Sequence, residues 1–201
     1  FRNELETGIR KGLTANEFVP YYEQQIDLGS GELVGFEMLA RWQSPQLGMV
    51  SPETFIPIAE DIGVISDLSE QLMACAFNDA RDWAPDLTLS VNISPVQMRD
   101  PWFAQKLLKL LVESNFPPSR LEIEITESCF HDNIGLVRSM ITSLRNQGVK
   151  VSLDDFGTGY SSLEQLRSLP FDRLKIDRSF IGELRNPEVG SKIVAAIVSL
   201  G

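Results

Sequence analysis

The residues best suited to chemistry are polar side chains that close apolar, alternating segments: Glu37, Asn92, Glu124, Asp154, Asp155, Lys175 and Asp177. All but Lys175 offer oxygen donors. With a single histidine and two cysteines in the chain, a zinc centre of the His/Cys type is excluded, and hard Mg²⁺ or Mn²⁺ matches the donors better. Adjacent Asp154 and Asp155 can flank two cations, and divalent ions about 3.5–4 Å apart stabilise the attacking and leaving oxygens of a phosphodiester. Asn92 adds a neutral oxygen ligand, and Lys175 is suited to orienting a water or stabilising developing charge. Arg41 fits either a phosphate oxygen or a neighbouring carboxylate. The loop Asp155-Phe156-Gly157-Thr158-Gly159-Tyr160-Ser161-Ser162 reads equally as a phosphate-cradling turn or as a tight connection that uses glycine for its backbone freedom.

Other nucleophile chemistries find no support. His131 has neither a second histidine nor a serine motif beside it. Cys75 and Cys129 form no Cys-x-x-Cys or Cys-His spacing; Cys75 falls with Leu68, Leu72 and Phe77 on the apolar side of a helical segment and is expected in the core.

The elements that must position these groups alternate. Segments 18–28, 33–42, 87–93, 121–126, 149–154 and 174–177 read as strands, and 53–60, 66–83, 103–114, 134–147, 162–168 and 189–200 as helices. Ser51 before Pro52, and Ser162 with Gln165, have the spacing of helix starts. Repeated βα units around a mostly parallel sheet follow, either an open doubly wound sheet or a (β/α) barrel.

Reading each strand at period two separates an apolar phase from a polar one. Val34, Phe36, Met38, Ala40 and Trp42 oppose Glu37, Leu39 and Arg41; Leu89, Val91 and Ile93 oppose Ser90 and Asn92; Ile123 and Ile125 oppose Glu122 and Glu124; Val151 and Leu153 oppose Ser152 and Asp154; Leu174 and Ile176 oppose Lys175 and Asp177. Sites in both candidate folds lie beyond the carboxyl ends of the strands, so these polar ends are expected to converge. Lys175 alone cannot balance Glu37, Glu124, Asp154 and Asp155, and cations are the expected remedy.

The 201 residues carry 28 acidic and 18 basic side chains, a formal charge of −10, with 43% apolar composition. That is one ordinary globular domain over 1–201, large enough to bury roughly 70% of its unfolded surface without disulfides. The negative charge opposes binding of polymeric DNA or RNA. No apolar run reaches the ~20 residues of a membrane span, and the cysteine usage fits a reducing, cytoplasmic compartment. The opening on Phe1 and the apolar run that precedes Gly201 lead us to expect a piece of a longer protein, whether or not that protein is tethered to a membrane.

The segments YYEQQIDL, GFEMLARW, FIPIAEDIG, LSVNISPVQ, LEIEITES, SLDDFGTGYSSL and LPFDRLKIDRSFI together resemble the EAL-domain family of cyclic di-GMP phosphodiesterases, along nearly the whole chain. The resemblance implies a TIM-like (β/α) barrel with one reversed strand near its start, and hydrolysis of cyclic di-GMP to linear pGpG with two Mg²⁺ or Mn²⁺ ions. It implies Glu37, Asn92, Glu124, Asp154 and Asp155 as metal ligands, Lys175 as the residue orienting water, and Glu127 as the anchor of the DDFGTG loop. Gln24, Leu39 and Arg41 match substrate-contacting positions, with Asp177 beside the site, and the family's homodimer is expected. The signature tripeptide is Glu37-Met38-Leu39, with Met38 where the family has alanine. The family's Glu-Gly-Val-Glu motif and a later glutamine fall beyond Gly201, so the barrel is expected to stop about two βα units short. A catalytically silent cyclic di-GMP receptor is the alternative from another class, and a general two-metal phosphatase is a third reading.

Overall fold

The computed structural model describes residues 2–156, 169–176 and 195. Its chain order is α1 (Arg2–Thr14), β1 (Phe18–Ile26), β2 (Leu33–Ser44), β3 (Gly48–Val50), α2 (Pro52–Asp61), α3 (Ile65–Ala80), β4 (Thr88–Asn92), α4 (Pro95–Met98), α5 (Phe103–Glu113), β5 (Leu121–Thr126), α6 (Ile134–Asn146), β6 (Lys150–Phe156) and β7 (Arg173–Ile176). One mixed sheet runs β1-β2-β4-β5-β6-β7, with β3 paired to β2. β1 and β3 are antiparallel to β2, and every later pairing is parallel. The reversed strand near the start is therefore present. The sheet does not close among the described residues.

The two strand phases divide as their periodicity predicts. Leu89, Val91, Ile123, Ile125, Val151 and Leu153 are buried under the helices, together with Met38 and Trp42. Met38 thus contributes to packing, on the opposite face from Glu37. Each such side chain contributes about 1.5–3 kcal/mol relative to exposure, which makes this face the principal source of stability.

Several elements differ from the sequence expectation, for identifiable reasons. α1 carries only a thin apolar stripe, with Leu5 and Ile9 buried, and its two glycines disguise it. They serve a close approach: a Cβ on Gly8 would lie 3.0 Å from Trp42 Cη2, and one on Gly12 3.0 Å from Trp42 Nε1. Trp42 Nε1 donates to Glu17 Oε2 at 2.9 Å. β1 ends at Ile26 because Asp27 Oδ1 accepts the backbone N–H of Gly29 and Ser30, closing a turn in place of further ladder. α2 begins after Ser51, but the Ser51 side chain makes no cap hydrogen bond; the capping box is at Ser94 and Gln97, starting α4. Cys75 is exposed, not core, whereas Cys129 is buried. The expected helices 162–168 and 189–200, the Ser162–Gln165 cap and most of the glycine loop lie outside the described residues.

Arg120 closes the C-terminal end of α3. Its guanidinium donates to Ala80 O and Leu87 O at 2.9 Å and to Ala84 O at 3.4 Å, and lies 5.0 Å from the Phe116 ring centre. Arg120→Ala should lower unfolding free energy by about 3 kcal/mol, because buried carbonyls lose their donor. Urea denaturation checks this: Arg120→Lys, with no planar fork, should recover less than half, and an unchanged midpoint in Arg120→Ala would refute the role.

Candidate active site

Acidic side chains of β2, β5 and β6 meet around one ammonium group, that of Lys175 on β7. Lys175 Nζ lies 2.5 Å from Glu124 Oε2, 3.3 Å from Glu37 Oε2 and 4.0 Å from Asp154 Oδ2. Asn92 Nδ2 donates to Glu37 Oε1 at 2.8 Å. The loop after Asn92 is held on both sides. Ile93 N donates to Glu124 O at 2.9 Å, and Ser94 Oγ makes a short hydrogen bond to Glu60 Oε1.

Asp155 reaches the same end of the sheet through a break in the ladder. Leu153 pairs with Leu174 and Phe156 with Ile176, so Asp154 and Asp155 together oppose Lys175 across a β-bulge. Asp155 has φ of 54°, a left-handed conformation uncommon outside glycine and short polar residues. Strict alternation would send two adjacent acids to opposite faces, and the bulge suspends that rule. Asp154 Oδ1 accepts the backbone N–H of Asp155 at 2.8 Å.

Burial is the dominant influence on Glu124. It pushes the carboxyl up to about 7, against the lowering effect of the Lys175 hydrogen bond, with Glu37 and Asp154 adding repulsion. For Lys175, burial acts downward, but the hydrogen bond to Glu124 and attraction to Glu124, Glu37 and Asp154 prevail and raise it. Glu124 Oε1 is buried without a hydrogen-bond partner. Among the described residues no three His, Cys, Asp or Glu side chains converge as a ready-made metal site; Lys175 stands between the acids. The donor chemistry still fits hard divalent cations: an orphaned buried carboxylate oxygen, a surplus of negative charge over the single lysine, and oxygen ligands throughout.

The other expected residues separate. Leu39 and Arg41 share the inner face of β2 with Glu37 and line a mostly apolar cavity of about 360 Å³ with Ile56, Leu72, Asn92 and Glu124. Arg41 donates Nη1 to Ala40 O at 2.8 Å and lies 5.4 Å from the Tyr21 ring centre. Gln24 is not brought to this cluster. It pairs with Phe36 on the face toward the helices, where Tyr22 bonds Asp79 of α3. The residue of β1 directly opposite Glu37 is Glu23, which the sequence reading missed; counting by twos from buried Phe18 would have separated the two. Glu127 is buried in a 3-10 turn after β5 that packs against β6, while the DDFGTG loop it was expected to anchor lies outside the described residues from Gly157 on. Asp177 is outside them as well. His131 is exposed in the same turn region.

The EAL domain family model matches residues 6–201. This chain belongs to the EAL domain family. An uncharacterized Synechocystis protein is 41% identical over the whole chain, which covers 29% of that relative's length. The cyclic di-GMP phosphodiesterase PdeR of Escherichia coli is 37% identical over 98% of this chain, again with only 30% of its own length covered. A solved c-di-GMP complex of the PaMucR phosphodiesterase superposes with a TM-score of 0.89 at 35% identity, over 98% of this chain and 82% of that one. The EAL fold is a TIM-like α/β barrel, and the described sheet is its mixed, unclosed counterpart. No helix among the described residues is long and apolar enough to cross a membrane.

Lys175 is the one cation that the described residues place within 4.0 Å of these acids. In chelator, Lys175→Met should therefore lower the stability of the EAL chain by about 2 kcal/mol. Added Mn²⁺ should narrow the gap to the unaltered chain; a gap that persists at saturating Mn²⁺, read by thermal unfolding, would refute the electrostatic account.

Proposed function

We propose that the chain hydrolyses cyclic di-GMP to linear pGpG with two divalent cations. The observation that carries this reading is the meeting of Glu37, from within β2, with Asn92, Glu124, Asp154 and Lys175 of the parallel strands that follow. Glu37, Asn92, Glu124, Asp154 and Asp155 are the residues that would hold Mg²⁺ or Mn²⁺, which supply Lewis-acid stabilisation of charge on the oxygens of the scissile phosphodiester. In the reaction, the oxygen of water bonds to phosphorus while the bond from phosphorus to the ribose 3′-oxygen breaks. One product end keeps the 5′-phosphate and the other gains a 3′-hydroxyl.

Lys175 orients the water through its ammonium hydrogens, and its attachment to Glu124 fixes where that ammonium sits. Arg41, on the same face as Glu37, offers a cation to a phosphate oxygen, while Leu39 presents an apolar surface to the nucleotide. Asn92 holds Glu37 in place through its amide. Glu127 supports the end of β5 beside the site.

The test follows pGpG formation from cyclic di-GMP with Mg²⁺ or Mn²⁺ against a chelator control. Metal-dependent turnover is expected in the unaltered chain. Asp154→Asn and Glu124→Gln should abolish it, and Lys175→Ala should lower kcat by at least about a hundredfold with a smaller change in KM. Full activity in Asp154→Asn would overturn the two-metal reading. Tight binding of cyclic di-GMP with no turnover by the unaltered chain would point instead to a receptor.

A further inference from the structure

A second polar layer lies directly beneath the cluster, on the same face of the same strands. Glu122 precedes Glu124 by two residues on β5, Ser152 precedes Asp154 on β6, and Arg173 precedes Lys175 on β7. Period-two alternation therefore stacks the lower set under the upper one. Ser152 Oγ makes a short hydrogen bond to Glu122 Oε1. Arg173 Nη1 lies 3.0 Å from Glu122 Oε2, an ion pair by distance without the alignment of a hydrogen bond. On the neighbouring strand Ser90 is fully buried, and Gln25 Nε2 reaches its Oγ at 3.3 Å.

This composition is unexpected for the interior of a barrel, where bulky branched side chains usually fill the layers. Glu122 is 1% exposed, and a buried carboxylate is strongly destabilising unless paired. Two cation–carboxylate contacts thus span β5 to β7, across β6, at positions two residues apart: Arg173 with Glu122, then Lys175 with Glu124. The bulge at Asp154 and Asp155 loosens the β6–β7 ladder just above the lower pair; Asp172, bonded to Val151 and paired with Arg145, holds the start of β7, and the lower pair is the last contact from β5 before the ladder breaks.

We propose that Glu122 is a positioning residue of the site: with Ser152 and Arg173 it sets β7 at the height from which Lys175 meets Glu124 and Glu37. The catalytic consequence rests on the phosphodiesterase reading above. The positional claim does not.

Competitive acetylation of the full chain, read by mass spectrometry, tests it, with exposed Lys109 as the internal standard. Glu122→Gln keeps the shape and an acceptor for Ser152 but removes the charge. In that variant Lys175 should be acetylated at least about fivefold faster relative to Lys109, whereas Lys11 of α1, remote from Glu122, should be unchanged. Arg173→Met should reproduce the effect, and Arg173→Lys should largely restore protection. Where the unaltered chain turns over cyclic di-GMP, Glu122→Gln should lower kcat by about tenfold, with KM within about twofold. Unchanged Lys175 reactivity in a folded Glu122→Gln chain would overturn the proposal, as would an equal rise at Lys11, the mark of general loosening. Absence of turnover in the unaltered chain would remove the phosphodiesterase reading and leave the acetylation comparison fully decisive for Glu122.

Discussion

Three carboxylates share one ammonium group, and most of the surrounding structure follows from that crowding. Glu37, Glu124 and Asp154 come from three strands, and Lys175 arrives from a fourth to lie within 4.0 Å of each. Like charges held this close in a partly dry setting repel by several kcal/mol at intermediate dielectric, about 4 kcal/mol for a pair at 4 Å with an effective constant of 20. One lysine offsets part of that; burial, with repulsion from Glu37 and Asp154 added and the Lys175 hydrogen bond opposing, raises the Glu124 carboxyl to about 7. An arrangement that remains short of positive charge is a cation-seeking one.

Such a cluster persists only on a scaffold with stability elsewhere. The strands solve this by giving their two faces different tasks. The helix-facing phase of β4, β5 and β6 is aliphatic and buried, while the opposite phase carries Ser90, Glu122, Glu124, Ser152 and Asp154. Because alternate residues cannot change sides, neither face can be altered without a register shift that would invert both. The register is broken at the bulge in β6, where Asp154 and Asp155 together oppose Lys175, and again at Gln25 and Ile26 of β1.

This division also explains what was legible in the sequence. Glu37, Asn92, Glu124 and Lys175 could be found by counting because their neighbours are unambiguously apolar. Gln24 lies in a polar run, Glu23, Gln24 and Gln25, whose phase the sequence leaves open; in the register of β1 it opposes Phe36 while Glu23 opposes Glu37, and the anchor that fixes the phase, Phe18, lies six residues away. α1 was hidden by Gly8 and Gly12, whose reason is a tryptophan thirty residues later. Cys75 looked like core because it adjoins an apolar stripe, yet it sits just outside it, close enough for Asp79, after burial, to raise its thiol. The bulge at Asp155 had no sequence signal beyond the paired acids themselves, since backbone strain of that kind is a property of the assembled sheet.

The same reasoning separates the roles of the two polar layers. The upper layer is open enough to exchange ligands: Asn92 is exposed and the Lys175 side chain is 31% accessible. The lower layer is closed on the Glu122 side and half-open only at Arg173. A buried charge pair contributes little net stability compared with an apolar substitute, so stability alone does not account for a carboxylate at Glu122 where leucine would pack. What the pair supplies is a fixed relation between two strands that do not touch each other, and the ammonium of Lys175 is the group whose position depends on it.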